Sequence, residues 1–282
     1  MALNCIECPH SASQREGAAV ATETPGPASP AIPSDDPLPE AVALARGAAD
    51  AGLGLKLLGG LAVRVLCPEF PPRLRAGQDM DFACLSKGRK NVASYLEQSG
   101  CVPDKRFNNL NGDRQMYFNA PSGRPVDIMV DRLTMCHTLD LRPAFDKLPL
   151  TIDAVDVLLS KLQIVELNEK DARDTLHLLS GVPVSGSGAA DHGVSIDSDR
   201  FAKLLGADWG WWRTVTGNLK KLPALAADRP ELIPPDPPLD ALAQCRYLLE
   251  LAESTPKGMK WRLRANVGDR VRWYEQPEEV GH

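Results

Sequence analysis

From Leu38 to about Ala51, apolar residues recur at helical spacing behind Ser34-Asp35-Asp36-Pro37, a polar cap with a proline start. That pattern predicts a helix. The apolar run Leu53 to Leu58 reads as a short buried strand, Gly59-Gly60 as a turn, and Leu61 to Leu66 as a helix. A proline-rich loop, Cys67 to Gln78, leads into a strand over 79–85. Lys87 to Ser99 reads as a helix. Residues 113–119 and 124–131 alternate around Pro121-Ser122-Gly123, which predicts a hairpin. An extended piece at 147–151 precedes helical patterns at 153–166 and 169–180.

Beyond Gly181 the character changes. Gly181 to Gly193 is rich in Gly, Ser and Ala and reads as a flexible loop. Helical stretches near 197–226 and 238–254 follow, parted by the proline cluster Pro230 to Pro238, and all five tryptophans lie in this half. At the other end, residues 1–37 are rich in Ala, Pro, Ser, Thr and Glu, a composition that predicts disorder. The expected organisation is a 1–37 tail, an α/β (α+β) domain at 38–181 built on a mixed sheet flanked by helices, and a mainly helical C-terminal domain at 194–282.

Composition adds limits. The 282 residues, 43% hydrophobic and 24% charged, are ordinary for a globular protein with a sizeable core. No stretch approaches a membrane span, and the N-terminus lacks the basic and apolar regions of a secretory signal, so a cytoplasmic location is expected. Seven scattered cysteines without a framework spacing fit reduced thiols. Cys5 and Cys8, with His10 nearby, have the spacing of half a zinc site, but no second pair follows. Residues 1–40, with six acids against Arg15 alone, carry the whole formal charge of -5, which leaves the remainder near neutral. Global charge therefore decides nothing about nucleic acid.

The informative chemistry lies in Asp79-Met80-Asp81-Phe82 and Val126-Asp127-Ile128-Met129-Val130-Asp131. Carboxylates spaced i, i+2 on a strand share a face. Asp127 comes from a second apolar run that also reads as a strand, and burying it without a partner would be costly. Hard divalent cations such as Mg²⁺ take oxygen ligands. Three convergent carboxylates beside a glycine turn are the makings of a two-metal phosphoryl- or nucleotidyl-transfer site. The bland reading of each remains: an Asp-x-Asp can be a solvated face, Asp131 a turn residue, Lys161 a snorkelling lysine. Asp171 and Asp174, with Lys170 and Arg173, can be a solvated helix face.

The order of these elements resembles the DNA polymerase β-like nucleotidyltransferase superfamily. From about 53 to 180 the chain resembles in particular the abortive-infection (AbiE-type) toxin nucleotidyltransferases of bacteria. The residues that carry the resemblance are Gly59-Gly60-Leu61-Ala62-Val63-Arg64, Asp79 to Phe82, Lys161-Leu162, and Lys170-Asp171-Ala172-Arg173-Asp174-Thr175-Leu176. Three features depart from that pattern: Leu61 stands where a small hydroxyl residue is common, the spacer from Gly60 to Asp79 is long, and Thr175 precedes the final Leu.

The resemblance implies transfer of a nucleoside monophosphate from an NTP, ATP among them, to an acceptor hydroxyl. Asp79 and Asp81 would hold the nucleotide-bound Mg²⁺ (or Mn²⁺). Asp127 would complete a second metal position and help deprotonate the acceptor. Gly59 and Gly60 would offer backbone N–H groups to the β/γ-phosphates at a helix N-terminus. Arg64 and Lys161 are candidate phosphate cations. Either Asp171 or Asp174 would orient Lys161 or contact the sugar or base. In partners, the resemblance implies tRNA 3′ ends as acceptor and an antitoxin protein.

One further patch bears on that acceptor. Lys257-Gly258-Met259-Lys260-Trp261-Arg262-Leu263-Arg264, followed by Arg270, Arg272, Trp273 and Tyr274, interleaves cations with aromatics in a way that suits RNA. Read as extended, it would place Lys260, Arg262 and Arg264 on one face. Two other functions compete: a small-molecule, antibiotic-type nucleotidyltransferase, and a catalytically idle nucleotide- or protein-binding module, which Leu61 favours.

Overall fold

The computed structural model describes residues 36–72, 74, 77–186 and 194–276. The chain opens with α1 (Leu38–Asp50), whose first turn is set by Pro37 and by the Asp36 carboxylate, which accepts the Leu38 amide at 2.9 Å. Ala41, Leu44, Ala45 and Ala48 form its buried stripe. Then come β1 (Leu55–Leu57), α2 (Gly59–Leu66), β2 (Met80–Cys84), α3 (Arg89–Gln98), the two-residue β3 (Val102–Pro103), α4 (Lys105–Asn111), β4 (Gln115–Asn119) and β5 (Pro125–Val130). A small hairpin of β6 (Arg132–Thr134) and β7 (Thr138–Asp140) precedes the helices. These are α5 (Ala154–Leu162), α6 (Glu169–Gly181), α7 (Ser198–Ala207), α8 (Trp209–Asp228), α9 (Ala241–Ser254) and α10 (Met259–Val267).

The main sheet is mixed, in the order β1-β2-β5-β4-β3. Among the described strands β2 and β5 alone run parallel, and Leu57 of β1 makes a further parallel bridge to Thr151; β1 against β2, β4 against β5 and β3 against β4 are antiparallel. Met80, Phe82, Val126, Ile128, Met116 and Phe118 are buried, while Asp81, Asp127, Met129, Gln115 and Tyr117 between them are half-buried. This period-two alternation, complete in β5 and broken in β2 by buried Ala83, turns one face into core and the other towards a cleft. The α/β class expected from sequence is correct, with helices flanking a mixed sheet and a helical C-terminal region. The sheet residues and the C-terminal helices share one hydrophobic core, from Phe82 and Ile128 to Phe201, Val215 and Leu248.

Several local expectations need correction. Gly59 and Gly60 do not form a separate turn; they are the first residues of α2. The stretch 197–226 is two helices, because Asp208 ends α7 and its side chain accepts the Trp211 amide to start α8. The basic segment 257–274 is not extended: its centre is α10, so Lys260, Arg262 and Arg264 do not line up on one face. Helix α4 and the β6–β7 hairpin carry no long apolar period and escape a pattern reading. Residues 1–35 and 187–193 lie outside the described residues, and with them the Cys5/Cys8/His10 spacing and most of the Gly/Ser loop. Cys67, Cys84, Cys101, Cys136 and Cys245 are all unpaired and buried. No helix among the described residues is long and apolar enough to cross a membrane.

Candidate active site

Parallel pairing of β2 and β5 sets Asp81 directly beside Asp127, and the antiparallel β4–β5 pair sets Tyr117 beside Asp127. The three form a row across the open face of the sheet. Asp79 lies one residue before β2, two positions from Asp81. Asp79, Asp81 and Asp127 all line a cleft of about 1350 Å³, together with Gly59, Gln115, Ser160, Lys161, Lys170 and Asp171. Its far wall is the β6–β7 hairpin, with Arg132, Thr134 and Thr138, and the chain near Glu275.

The carboxylates repel one another. Burial, followed by the charges of Asp79 and Asp127, pushes the Asp81 carboxyl up to about 6 against the pull of Lys161 and Lys170. Gln115 Nε2 donates to both oxygens of Asp127 at 2.7 Å each, which fixes the plane of that carboxylate. The same charges bear on Tyr117, whose phenol is raised by burial, then by Asp127 and Asp79.

The glycine pair allows the close approach of helix and strand. Gly59 has φ +59°, a left-handed conformation, and a Cβ there would stand 2.8 Å from Asp81 Oδ2. At Gly60 a Cβ would meet Asp174 Oδ2 at 3.3 Å. Thus the amino end of α2, with its unsatisfied N–H groups and positive dipole end, faces the carboxylates. Leu61 is 2% exposed and belongs to the core, lining neither cavity.

Lys161 is buried at the end of α5 and forms ion pairs with Asp171 (3.1 Å) and Asp174 (2.7 Å). Burial alone would depress its ammonium; Asp174 and Asp171 outweigh this and hold it above the ordinary value. Asn168 caps α6 by accepting the Asp171 amide, and its own amide donates to Asp171 Oδ2 at 2.8 Å. Lysine and both aspartates therefore act as one braced unit joining α5 to α6.

Gly59, Asp79, Asp81, Asp127, Lys161 and Asp171 are brought around the one cleft. Arg64 is not: it makes a two-pronged pair with Asp36 (2.7 and 2.9 Å) and lines a smaller neighbouring cavity of about 250 Å³ with Gly60, Asp174 and Arg173. Lys170 and Asn168 border both cavities. Asp131 takes φ +62° between β5 and β6 and accepts the Ser86 amide at 2.9 Å, the geometry of a turn residue. Gln115, Tyr117 and Lys170 were absent from the sequence-based site. Gln115 and Tyr117 share a parity on β4, but only the register with β5 places Tyr117 opposite Asp127 and Gln115 diagonal to it, opposite Met129.

The donor set is all oxygen, which suits a hard divalent cation. As the side chains stand, no group of three or more His, Cys, Asp or Glu among the described residues is gathered closely enough to hold a metal ion. The site is a charged cleft whose carboxylates are not gathered into a coordinating arrangement.

No protein-family profile matches the chain, and no curated protein matches it. Among solved structures, the chain is similar to an antigenic nucleotidyltransferase-like protein from Paracoccidioides brasiliensis. The identity is 14%, the match covers 81% of this chain and 97% of that one, and the TM-score is 0.38. At that score the likeness carries over neither activity nor site residues.

Proposed function

We propose that the cleft is the site of a divalent-cation-dependent nucleotidyl transfer from an NTP to an acceptor hydroxyl. The observation that carries the reading is the pairing of Asp81 with Asp127 across β2 and β5, facing the glycine start of α2. Negative charge concentrated at Asp81 is what a cation relieves, and the amino end of α2 offers N–H donors to an anion. A bound Mg²⁺ or Mn²⁺ would supply charge neutralisation at the transferring phosphate.

The chain's own groups do the rest. Backbone N–H groups of Gly59 and Gly60 take the outer phosphates. Lys170, half-buried on the rim of both cavities, offers a point charge to them. Lys161 is engaged by Asp171 and Asp174, so its part is to brace the wall and to bias the potential at Asp81. Asp127, oriented by Gln115, accepts the proton of the attacking hydroxyl, for which it must reach within hydrogen-bond distance of it; the hydroxyl oxygen bonds the α-phosphorus as the bond from that phosphorus to the β-phosphate oxygen breaks and pyrophosphate leaves. The acceptor then occupies the side of the cleft walled by β6–β7, since one nucleotide does not fill 1350 Å³. An RNA end fits the arginines of that wall; so does an anionic small molecule. A toxin role for that RNA reading, with an antitoxin as partner, rests on the sequence resemblance alone.

A second reading is favoured by the ungathered carboxylates and by Gln115 occupying both oxygens of Asp127. In it, the cleft binds a nucleotide and performs no transfer. The deciding experiment offers each labelled NTP with Mg²⁺ to total RNA, total protein and a panel of small hydroxylated acceptors, with Asp81→Asn alongside. Label transferred only by the unaltered protein supports the transferase and names the acceptor class. Saturable NTP binding with no labelled product in any fraction overturns it in favour of the binding module.

A further inference from the structure

Among the described residues, seven large hydrophobic side chains are exposed, and four of them fall within one short stretch: Met259 (80%), Leu263 (63%), Val267 (39%) and Val271 (58%). Singly exposed apolar residues are ordinary, but a contiguous set is not. Met259, Leu263 and Val267 stand at i, i+4 and i+8 on α10 and so form one ridge along the helix. Val271 continues the spacing just past its end.

The opposite side of α10 is fully used. Trp261 packs edge-on against Trp212 with ring centroids 5.2 Å apart. The Arg264 guanidinium lies 4.5 Å from the Trp209 ring centroid and donates to the Gly268 and Val271 carbonyls. The inner face is therefore packed on α8, and the outer ridge faces solvent.

Exposed Lys260, Arg262 and Arg270 flank this ridge, with no ion pair among the described residues engaging them. The nearby acid, Asp269, is already paired with Arg213 at 2.9 Å. Positive flanks exclude the same face of a second copy, where like charges would meet. They also argue the partner's sign. RNA is less well served, because Trp261 and Trp273 are packed against Trp212 and Trp209 and are not free to stack on bases, while an aliphatic ridge offers nothing to phosphates.

We infer that the outward face of α10 is a docking surface for an acidic amphipathic segment of a partner protein, whose apolar side chains cover Met259, Leu263 and Val267 and whose carboxylates pair with Lys260, Arg262 and Arg270. This surface is independent of the cleft chemistry, and its test uses no activity. The ridge would pair with the apolar face of an amphipathic segment, in which anchors recur every three or four residues and charge sets the orientation.

The experiment is a selection from a random peptide-display library on the full chain, followed by fluorescence titration of the enriched peptides. The same titrations use Leu263→Glu and Met259→Glu, each checked for an unchanged thermal midpoint. A single-stranded RNA oligonucleotide and phosphatidylserine vesicles are titrated in parallel. The expected result is enrichment of peptides with apolar residues at i, i+4 spacing and acidic flanks, losing about tenfold or more in affinity on either variant. No enrichment, enrichment without that pattern, or affinity indifferent to both variants overturns the proposal. RNA or vesicle binding that falls on Arg262→Glu, in the absence of such peptides, reassigns the surface to that ligand.

Discussion

Asp81 on β2 and Asp127 on β5 are register partners in a parallel strand pair of the main sheet, and Gln115 Nε2 holds Asp127 from the far side at 2.7 Å. Two carboxylates side by side on one sheet face, with Asp79 two positions away, are a standing electrostatic cost in the folded protein.

Asp81→Asn tests that cost directly. The folded protein holds Asp81 at about 6, above its ordinary 3.8, so folding favours the protonated form. Stability contributed by this group is present below about 3.8 and is lost as pH rises to about 6. The variant is therefore expected to be more stable than the parent at pH 7.5, on the order of 1–2 kcal/mol, with the difference vanishing near pH 4. Thermal melts at the two pH values check this. A variant less stable at pH 7.5 would sink the repulsion argument.

Cation binding should act in the same direction. Millimolar Mg²⁺ or Mn²⁺ is expected to raise the melting midpoint at pH 7.5, and EDTA to reverse the rise, because a ligand that prefers the folded state stabilises it. Asp81→Asn should abolish the response. An equal rise in parent and variant would place the cation elsewhere.

Gly59→Ala combines two penalties. Its φ of +59° is disfavoured for any Cβ, and that Cβ would stand 2.8 Å from Asp81 Oδ2. A loss of roughly 1–2 kcal/mol is expected from the backbone alone, and more as Asp81 is displaced. Gly60→Ala, at 3.3 Å from Asp174 and without a positive φ, should cost less. Urea unfolding of the pair measures the difference.

Lys161→Met leaves Asp171 and Asp174 facing each other without their shared cation. Loss of roughly 3 kcal/mol is expected from breaking a buried ion pair on one side only. Adding Asp174→Asn should recover part of it, since one of the stranded charges then disappears. Full additivity of the two changes in denaturant unfolding would show that the pairs do not couple.

The acid limb should carry the opposite sign from Asp81. Burial, reinforced at His177 by Arg173, depresses His137 and His177 to about 4. Their stabilisation is present above about 6.5 and lost as pH falls towards 4. Replacing His177 with Phe should flatten the decline between these values in a melting-temperature profile, and an unchanged slope would refute the assignment. His137 is the harder test, because its Nε2 also bonds Thr214 at 2.9 Å.

Much of this was legible along the chain because it depends on neighbours in sequence. The alternation in 79–85 and 124–131, the stripe Ala41–Leu44–Ala45–Ala48, and the run through Val157, Leu158 and Leu162 each encode an element by its own periodicity. The i, i+2 spacing of Asp79 and Asp81 was likewise legible, and both line the cleft although Asp79 lies just before β2. The resemblance offered Asp171 or Asp174 as the partner of Lys161, and the structure pairs it with both.

What tertiary structure decided is every relationship that needs two distant segments in register. Whether Asp127 meets Asp81 depends on β5 joining β2 in parallel, which an alternation pattern cannot specify. Gln115 became a partner of Asp127 through the β4–β5 register, and Arg64 turned to Asp36 because α1 packs nearby. Helix α10 defied its reading since its apolar residues are divided between an inner face held by Trp212 and Trp209 and an outer ridge left in water. Local sequence sets which way a side chain points along its element; only the packing of elements against one another sets what it finds there.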